Sequence, residues 1–372
     1  MIAGHRKEHP ITRTVLFKFT ATAIVAGAAL SGGPSIVLAG PAHALPAGTE
    51  VRSYKQGLAF PVDMAWVRGT RRIFFTEKNT GKVRVMRGRT LLADPCVDLD
   101  VANASEQGAL GIVLHPRFET NHFLYVYYTN ATPLENRVAR FVVEDNVCTQ
   151  RTEIVTGIPA QTIHNGGQIE FMHGKLFVAT GDANVASNSQ NLASVSGKIL
   201  RYNADGTIPE GNPFTDVLGL PTPVWSYGHR NPFGLAHRFG TRQLFETENG
   251  PDCDDELNLI QPGRNYGWGL NYECGGGVGP NPVSPLWSWT PPIVVTDPTW
   301  YEGRINALSG SLYVPDFGPG QIHRFRMSAD GSEVRRHRVV HHHDEGILDV
   351  SKGPGRWLYF LTTNEILRIV ES

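Results

Sequence analysis

The sequence predicts an all-β protein, a six-bladed β-propeller, on three observations. One two-strand pattern recurs six times, glycine and proline are abundant at 40 and 25 residues, and no long stretch carries the period of a helix. The repeated unit is an aromatic-rich strand, a turn, and a second strand alternating apolar with basic or polar residues. Its copies are spaced by about 45–70 residues, the range in which one supersecondary unit packs radially on the next. A β-sandwich, the next candidate, does not explain a repeat of this length.

The first copy is Ile73-Phe74-Phe75-Thr76 then Lys82-Val83-Arg84-Val85-Met86, and the second is Phe123 to Tyr128 then Val138-Ala139-Arg140-Phe141. The third is Leu176 to Asp182 then Gly197 to Tyr202, and the fourth is Leu244 to Glu248 then Asp255 to Ile260. The fifth is Leu312-Tyr313-Val314 then Gln321 to Phe325, and the sixth is Leu358 to Leu361 then Glu365 to Ile369. Side chains on a strand alternate between its two sides, so each alternating strand can bury a face against a neighbouring blade. A strand near Val51 is expected to join the last blade and close the ring. The longest inter-strand segments, about 203–225 and 261–300, are rich in Pro, Gly and Trp. Such loops on a rigid ring are expected to carry function or oligomer contacts.

Residues 1–44 read as a secretory signal peptide, leaving 45–372 as one domain. Arg6, Lys7, Arg13 and Lys18 form a basic n-region, Ala21 to Leu30 a short apolar h-region, and Ala42-His43-Ala44 a small-x-small cleavage site. A membrane anchor is the alternative, but the apolar run is shorter than the ~20 residues a spanning helix needs. Export implies a secreted or periplasmic protein. Cleavage removes four basic residues and one acidic one, leaving 30 Lys and Arg against 34 Asp and Glu. That balance excludes a basic field for nucleic acid and a polybasic membrane patch. Four cysteines in an exported chain suggest two disulfides. Three pairings are open. Cys96 with Cys148 and Cys253 with Cys274 is favoured, because each pair sits at similar distances from the repeated strands.

Three segments place polar residues where a buried strand should be apolar or should turn. They are Glu106-Gln107-Gly108 running to Leu114-His115-Pro116, His164-Asn165-Gly166-Gly167-Gln168, and Tyr227-Gly228-His229-Arg230-Asn231-Pro232. The last is followed by Glu248-Asn249-Gly250-Pro251 and the acidic run Asp252, Asp254, Asp255 and Glu256. Each precedes the outward run of a blade, so in a propeller all three face the central channel and converge on one site. Without further context, the acidic run reads as a solvated turn.

Together with Gly263-Arg264-Asn265-Tyr266-Gly267-Trp268, these motifs resemble a known family, the soluble PQQ-dependent sugar dehydrogenases. That family comprises quinoprotein glucose and aldose sugar dehydrogenases and their sorbosone dehydrogenase-like relatives. The resemblance spans about Leu58 to Ile369 and implies the six-bladed fold already read from the repeats. It implies an enzyme that oxidises an aldose at carbon 1 to its lactone. Its cofactors would be PQQ and Ca2+, its partners a sugar substrate and a separate electron acceptor, and its state monomer or homodimer. His164 matches the general base, whose imidazole suits proton transfer near neutral pH. Gln107 matches a glutamine that contacts substrate and cofactor. Arg230 and Asn231 match the pair that hydrogen-bonds the quinone oxygens, the guanidinium stabilising negative charge that develops there. Gly250 and Pro251 match positions whose carbonyls bind the calcium seated on PQQ. Asp255, with the carbonyls of Glu256 and Tyr266, matches a second, structural calcium site.

The chain departs from the family pattern in the last two blades. The lysine that binds a PQQ carboxylate aligns with Gly318. The Arg-x-Arg-Asp-Val motif aligns with Gly346-Ile347-Leu348-Asp349-Val350, so both arginines are missing. A charge-assisted hydrogen bond contributes about 1.5–3 kcal/mol, so three lost cations weaken a site for a tricarboxylate. Arg304, His323 and Lys352 are the candidate replacements. A non-catalytic secreted propeller that binds a protein or glycan is the second reading, and a metal-dependent hydrolase or lactonase the third. His341-His342-His343-Asp344-Glu345 looks like a metal cluster, but adjacent strand residues point apart. A solvated blade-edge loop is expected there.

Overall fold

The computed structural model describes residues 45–372; the expected signal peptide lies outside them. They form a ring of six antiparallel sheets, the six-bladed propeller the repeats predict. The innermost strands are Pro61–Trp66, Ala109–Leu114, Ile169–Met172, Pro232–His237, Thr299–Tyr301 and Asp349–Lys352. The recurring strand pairs are the second and third strands of each blade. Among the described residues, helix is confined to the short turns Phe118–Asn121, Ser187–Gln190 and Pro354–Arg356. No helix among them is long and apolar enough to cross a membrane.

Alternation along the strands builds the core. In Phe123–Asn130, Leu124, Val126 and Tyr128 face the first blade and pack with Phe74, Val83 and Val85. The intervening Tyr125 and Tyr127 face the third blade and pack with Leu176, Val178 and Leu200. The last such interface joins the sixth blade to the first, with Tyr359, Leu361 and Ile366 against Met64, Ile73 and Phe75. Each fully buried large apolar side chain contributes about 1.5–3 kcal/mol of transfer free energy.

The ring is closed between the chain's two ends. Thr49–Gln56 pairs antiparallel with Glu365–Glu371 and forms the outer strand of the sixth blade. Cys96 and Cys148 join the outer edges of the first two blades, and Cys253 and Cys274 tie the turn after Pro251 to the long segment beyond Ile260. Both are the favoured pairings.

Inner strands begin, and second strands end, at the same end of the ring. Loops from successive blades therefore meet there, and they carry the motifs described above.

Candidate active site

His164 occupies the loop leading into the third inner strand, with a left-handed backbone at φ 58°. Its amide donates to Glu106 Oε2 at 2.7 Å. Its ring is buried, and Nδ1 lies 2.7 Å from Asp182 Oδ1. Asp182 follows the second strand of the same blade, Lys175–Thr180, and the Ala183 amide donates to the His164 carbonyl at 3.2 Å, which brings the two together across 18 residues. Trp268 Nε1 donates to Asp182 Oδ2 at 2.8 Å, and the Asn184 amide donates to Oδ1 at 2.7 Å. An ionised carboxylate only accepts, so His164 carries a proton on Nδ1, and Nε2 is the nitrogen left to accept in the neutral imidazole. Among the described residues, Nε2 has no hydrogen-bond partner.

Arg230 approaches the same place from the fourth blade. Its guanidinium lies 5.3 Å from the centre of the Trp268 ring, and one terminal nitrogen donates to the Asn249 carbonyl at 2.9 Å. Its amide donates to the Glu248 carboxylate. Burial pushes the guanidinium pKa down; Asp182, Glu248, Glu106 and Asp255 oppose that. Asn231 accepts from the Gly166 amide at 3.0 Å and donates to Glu106 Oε2 at 3.1 Å. Glu106 thus holds both the His164 amide and the Asn231 amide group, locking three blades together at the site. Gln107 is buried, donating to the Gln161 carbonyl at 3.1 Å and accepting from the Ala104 amide at 3.2 Å. The four predicted site residues His164, Gln107, Arg230 and Asn231 therefore converge. Asp182, Trp268 and Glu106 complete the cluster. Their roles were not readable, because only pairing between distant loops reveals them.

A family model described as Glucose / Sorbosone dehydrogenase matches residues 58–371. The chain belongs to that family. It is an oxidoreductase of the sugar dehydrogenase type. An uncharacterised protein of Synechocystis is 33% identical over 84% of each chain. The aldose sugar dehydrogenase YliI of Escherichia coli is 27% identical over 90% of this chain and 96% of its own. The solved PQQ-bound aldose sugar dehydrogenase of Streptomyces coelicolor superposes with a TM-score of 0.76 at 28% identity, covering 88% of this chain and 99% of that one.

In this family member the residues matched to calcium binding divide into two groups. No backbone amide or side chain among the described residues donates to the carbonyls of Gly250 or Pro251. The Asp255 carboxylate instead accepts from four amides, those of Gly250 at 2.9 Å, Ile293 at 2.8 Å, Val294 at 2.6 Å and Val295 at 3.4 Å. Three of these amides converge on Oδ2 and one on Oδ1, so the Asp255 carboxylate anchors loops and keeps acceptor capacity on Oδ1. Glu256, one residue on, faces the other way. It shares Asn258 with Glu246 and sits beside Glu248; burial, then Glu248, pushes it up to about 8. Tyr266 stacks on His229 at 4.7 Å, and His229 Nδ1 is 2.9 Å from Glu248. Glu256 and Tyr266 thus border one buried acidic cluster.

Backbone packing explains the missing cations. A Cβ on Gly346 would sit 2.4 Å from the Phe317 carbonyl, and one on Gly318 would sit 2.7 Å from the Ile293 carbonyl. These loops have closed over the space a long side chain needs. None of the three candidate replacements reaches it. Arg304 pairs with Glu371, and Lys352 Nζ lies 3.5 Å from the Glu302 carbonyl, both at the opposite end of the ring. His323 uses both ring nitrogens, on His337 and Asp316. The sequence reading missed Lys78. It lies at the end of the second strand of the first blade, over the Phe60 ring, with Glu106 near enough to raise its pKa against burial. His341 and His343 lie side by side against Phe360 with ring centres 6.3 Å apart, His342 is exposed, and burial lowers His341 to about 4.

Proposed function

We propose that this dehydrogenase is exported and oxidises an aldose at carbon 1 to its lactone, using PQQ and Ca2+. The observation that carries the reading is His164, with Nδ1 fixed by Asp182 and Nε2 free, joined through Trp268 to the Arg230 guanidinium. When bound, PQQ supplies the quinone that accepts the hydride leaving carbon 1. His164 Nε2 takes the proton of the carbon 1 hydroxyl, and Asp182 stabilises the imidazolium so formed. Arg230 offers fixed positive charge where negative charge gathers.

Several features support the fit to PQQ and calcium. Arg230 Nε and Asn249 Oδ1 are buried without partners. The carbonyls of Gly250 and Pro251 are oxygen ligands suited to calcium. Asp255, with the carbonyls of Glu256 and Tyr266, would hold a second calcium beside the acidic cluster. Lys78 and Arg230 are the cations offered to the cofactor's carboxylates, in place of those lost at Gly318, Gly346 and Leu348. Paired cysteines agree with an oxidising, extracytoplasmic compartment.

The test is dye-linked oxidation of a panel of aldoses after loading with PQQ and calcium. His164→Ala is expected to lower kcat by about 10²–10⁴-fold with thermal stability retained. Undiminished turnover in that variant, or no PQQ binding at micromolar concentration, would overturn the reading.

A further inference from the structure

The channel below the site holds a group that the chemistry above does not use. Asp63, Asp297 and Asp349 come from the first, fifth and sixth blades, and each brings a carboxylate oxygen to within 4.8 Å of the others. They line a cavity of about 260 Å3 that also receives Glu170 and Gln168, the latter the last residue of the His-Asn-Gly-Gly-Gln motif. Asp63 accepts the Ile112 amide at 2.6 Å, and Asp297 accepts the Leu235 amide at 3.0 Å. Asp349 is different. It is 1% exposed, and neither of its oxygens has a hydrogen-bond partner; the Met64 amide faces it without closing a bond.

No lysine or arginine lines this cavity. Its one histidine, His237, is spent on the Thr241 carbonyl, and burial lowers its pKa. No cation of the chain compensates the carboxylates; Asp63 and Asp297 have the Ile112 and Leu235 amides and the Gln168 side chain as donors. Burial, then mutual repulsion, accordingly raises Asp297 and Asp349 well above the ordinary carboxylate range. A bare carboxylate in such a place is costly unless it meets a cation or keeps a proton.

We infer that the Asp63, Asp297 and Asp349 carboxylates bind a calcium ion in the propeller channel, a site separate from the Gly250–Pro251 and Glu256–Tyr266 positions. All three ligands are hard oxygens. Calcium places oxygens at about 2.3–2.6 Å and accepts six to eight of them in irregular arrangements. Oxygens up to 4.8 Å apart can therefore lie on opposite sides of one ion, and the cavity leaves room for waters to complete the shell. The ion would bridge the first, fifth and sixth blades, the ones nearest the closure of the ring.

The test needs no PQQ and no activity. The mature protein is stripped with EDTA, dialysed and titrated with CaCl2, with bound calcium counted by equilibrium dialysis. Asp349→Asn is expected to bind one calcium fewer per chain than wild type. It is also expected to show a smaller calcium-induced rise in Tm and a higher Tm in EDTA, because one of three repelling carboxylates is gone. Asp297→Asn, a second near-isosteric variant, should lose the same ion. Should the two catalytic-end sites bind nothing, wild type still takes one calcium and the variants none, so the two readings fail separately. Equal calcium stoichiometry in wild type and both variants, with equal Tm shifts, would overturn the inference.

Discussion

At the scale of single residues, Asp182 decides what His164 can do. An amide in its place can donate to Nδ1, and the tautomer with the proton on Nε2 then becomes available. Asp182→Asn is expected to reduce kcat by at least about 10²-fold while binding sugar and cofactor nearly as before. The 15N shifts of the His164 ring separate this from a structural fault: the proton should move from Nδ1 to Nε2 in a folded protein. Lys78 makes a different prediction. Replacing it by Met should weaken PQQ by about 10-fold or more, the equivalent of one charge-assisted contact, with kcat at saturating cofactor little changed. His164, Gln107, Arg230 and Asn231 were legible because each sits inside a contiguous motif. Asp182, Trp268 and Lys78 were not. Asp182 looks like the polar end of a strand and Lys78 like a solvated turn, while Trp268 stands in the Gly263–Trp268 motif with no role attached to it. Their meaning depends on which loops share an end of the ring.

At the scale of elements, one buried cation holds the loop that carries Asp182. Lys198 begins the third strand of its blade and is fully buried. Its ammonium donates to the carbonyls of Asn188 at 2.8 Å, Ser189 at 3.1 Å and Ser196 at 2.8 Å. Ser189 in turn donates through Oγ to the His229 carbonyl at 2.6 Å, so the same loop seats the segment that carries Arg230. Lys198→Met would orphan the Ser196 carbonyl, at about 1–3 kcal/mol, and would take one donor from the Asn188 and Ser189 carbonyls, which keep the Asn191 and Gly228 amides. A fall in denaturation midpoint accompanied by lost activity is the expected outcome, and unchanged midpoints would deny the loop this anchor. Strand existence was readable from alternation alone, as in Leu124, Val126 and Tyr128 against Tyr125 and Tyr127. The loops were not, because glycine and proline announce a turn without saying which side chain will tie it down.

At the scale of the whole molecule, the ring is a set of wedges that needs its last contact. The outer strand Thr49–Gln56 lies at one end of the chain and its partner Glu365–Glu371 at the other. Removing residues 45–56 should expose one edge of Glu365–Glu371 and favour pairing with other chains. A lower melting temperature and self-association on gel filtration are expected; an unchanged elution volume with wild-type stability would show that closure is dispensable. The closing strand was legible because a repeat of six pairs leaves the stretch around Val51 without a blade of its own. The channel carboxylates were not, since Asp63 and Asp297 belong to no motif, Asp349 stands in the altered Arg-x-Arg-Asp-Val segment with no role assigned to it, and the three meet only when the circle is complete. That same closure has a consequence in time. Thr49 is among the first residues of the propeller to be synthesised, yet it cannot be placed until Glu371, next to the last, has been made. On the proposed export route such an order is an advantage, for the ring cannot lock until Glu365–Glu371 has left the translocation pore.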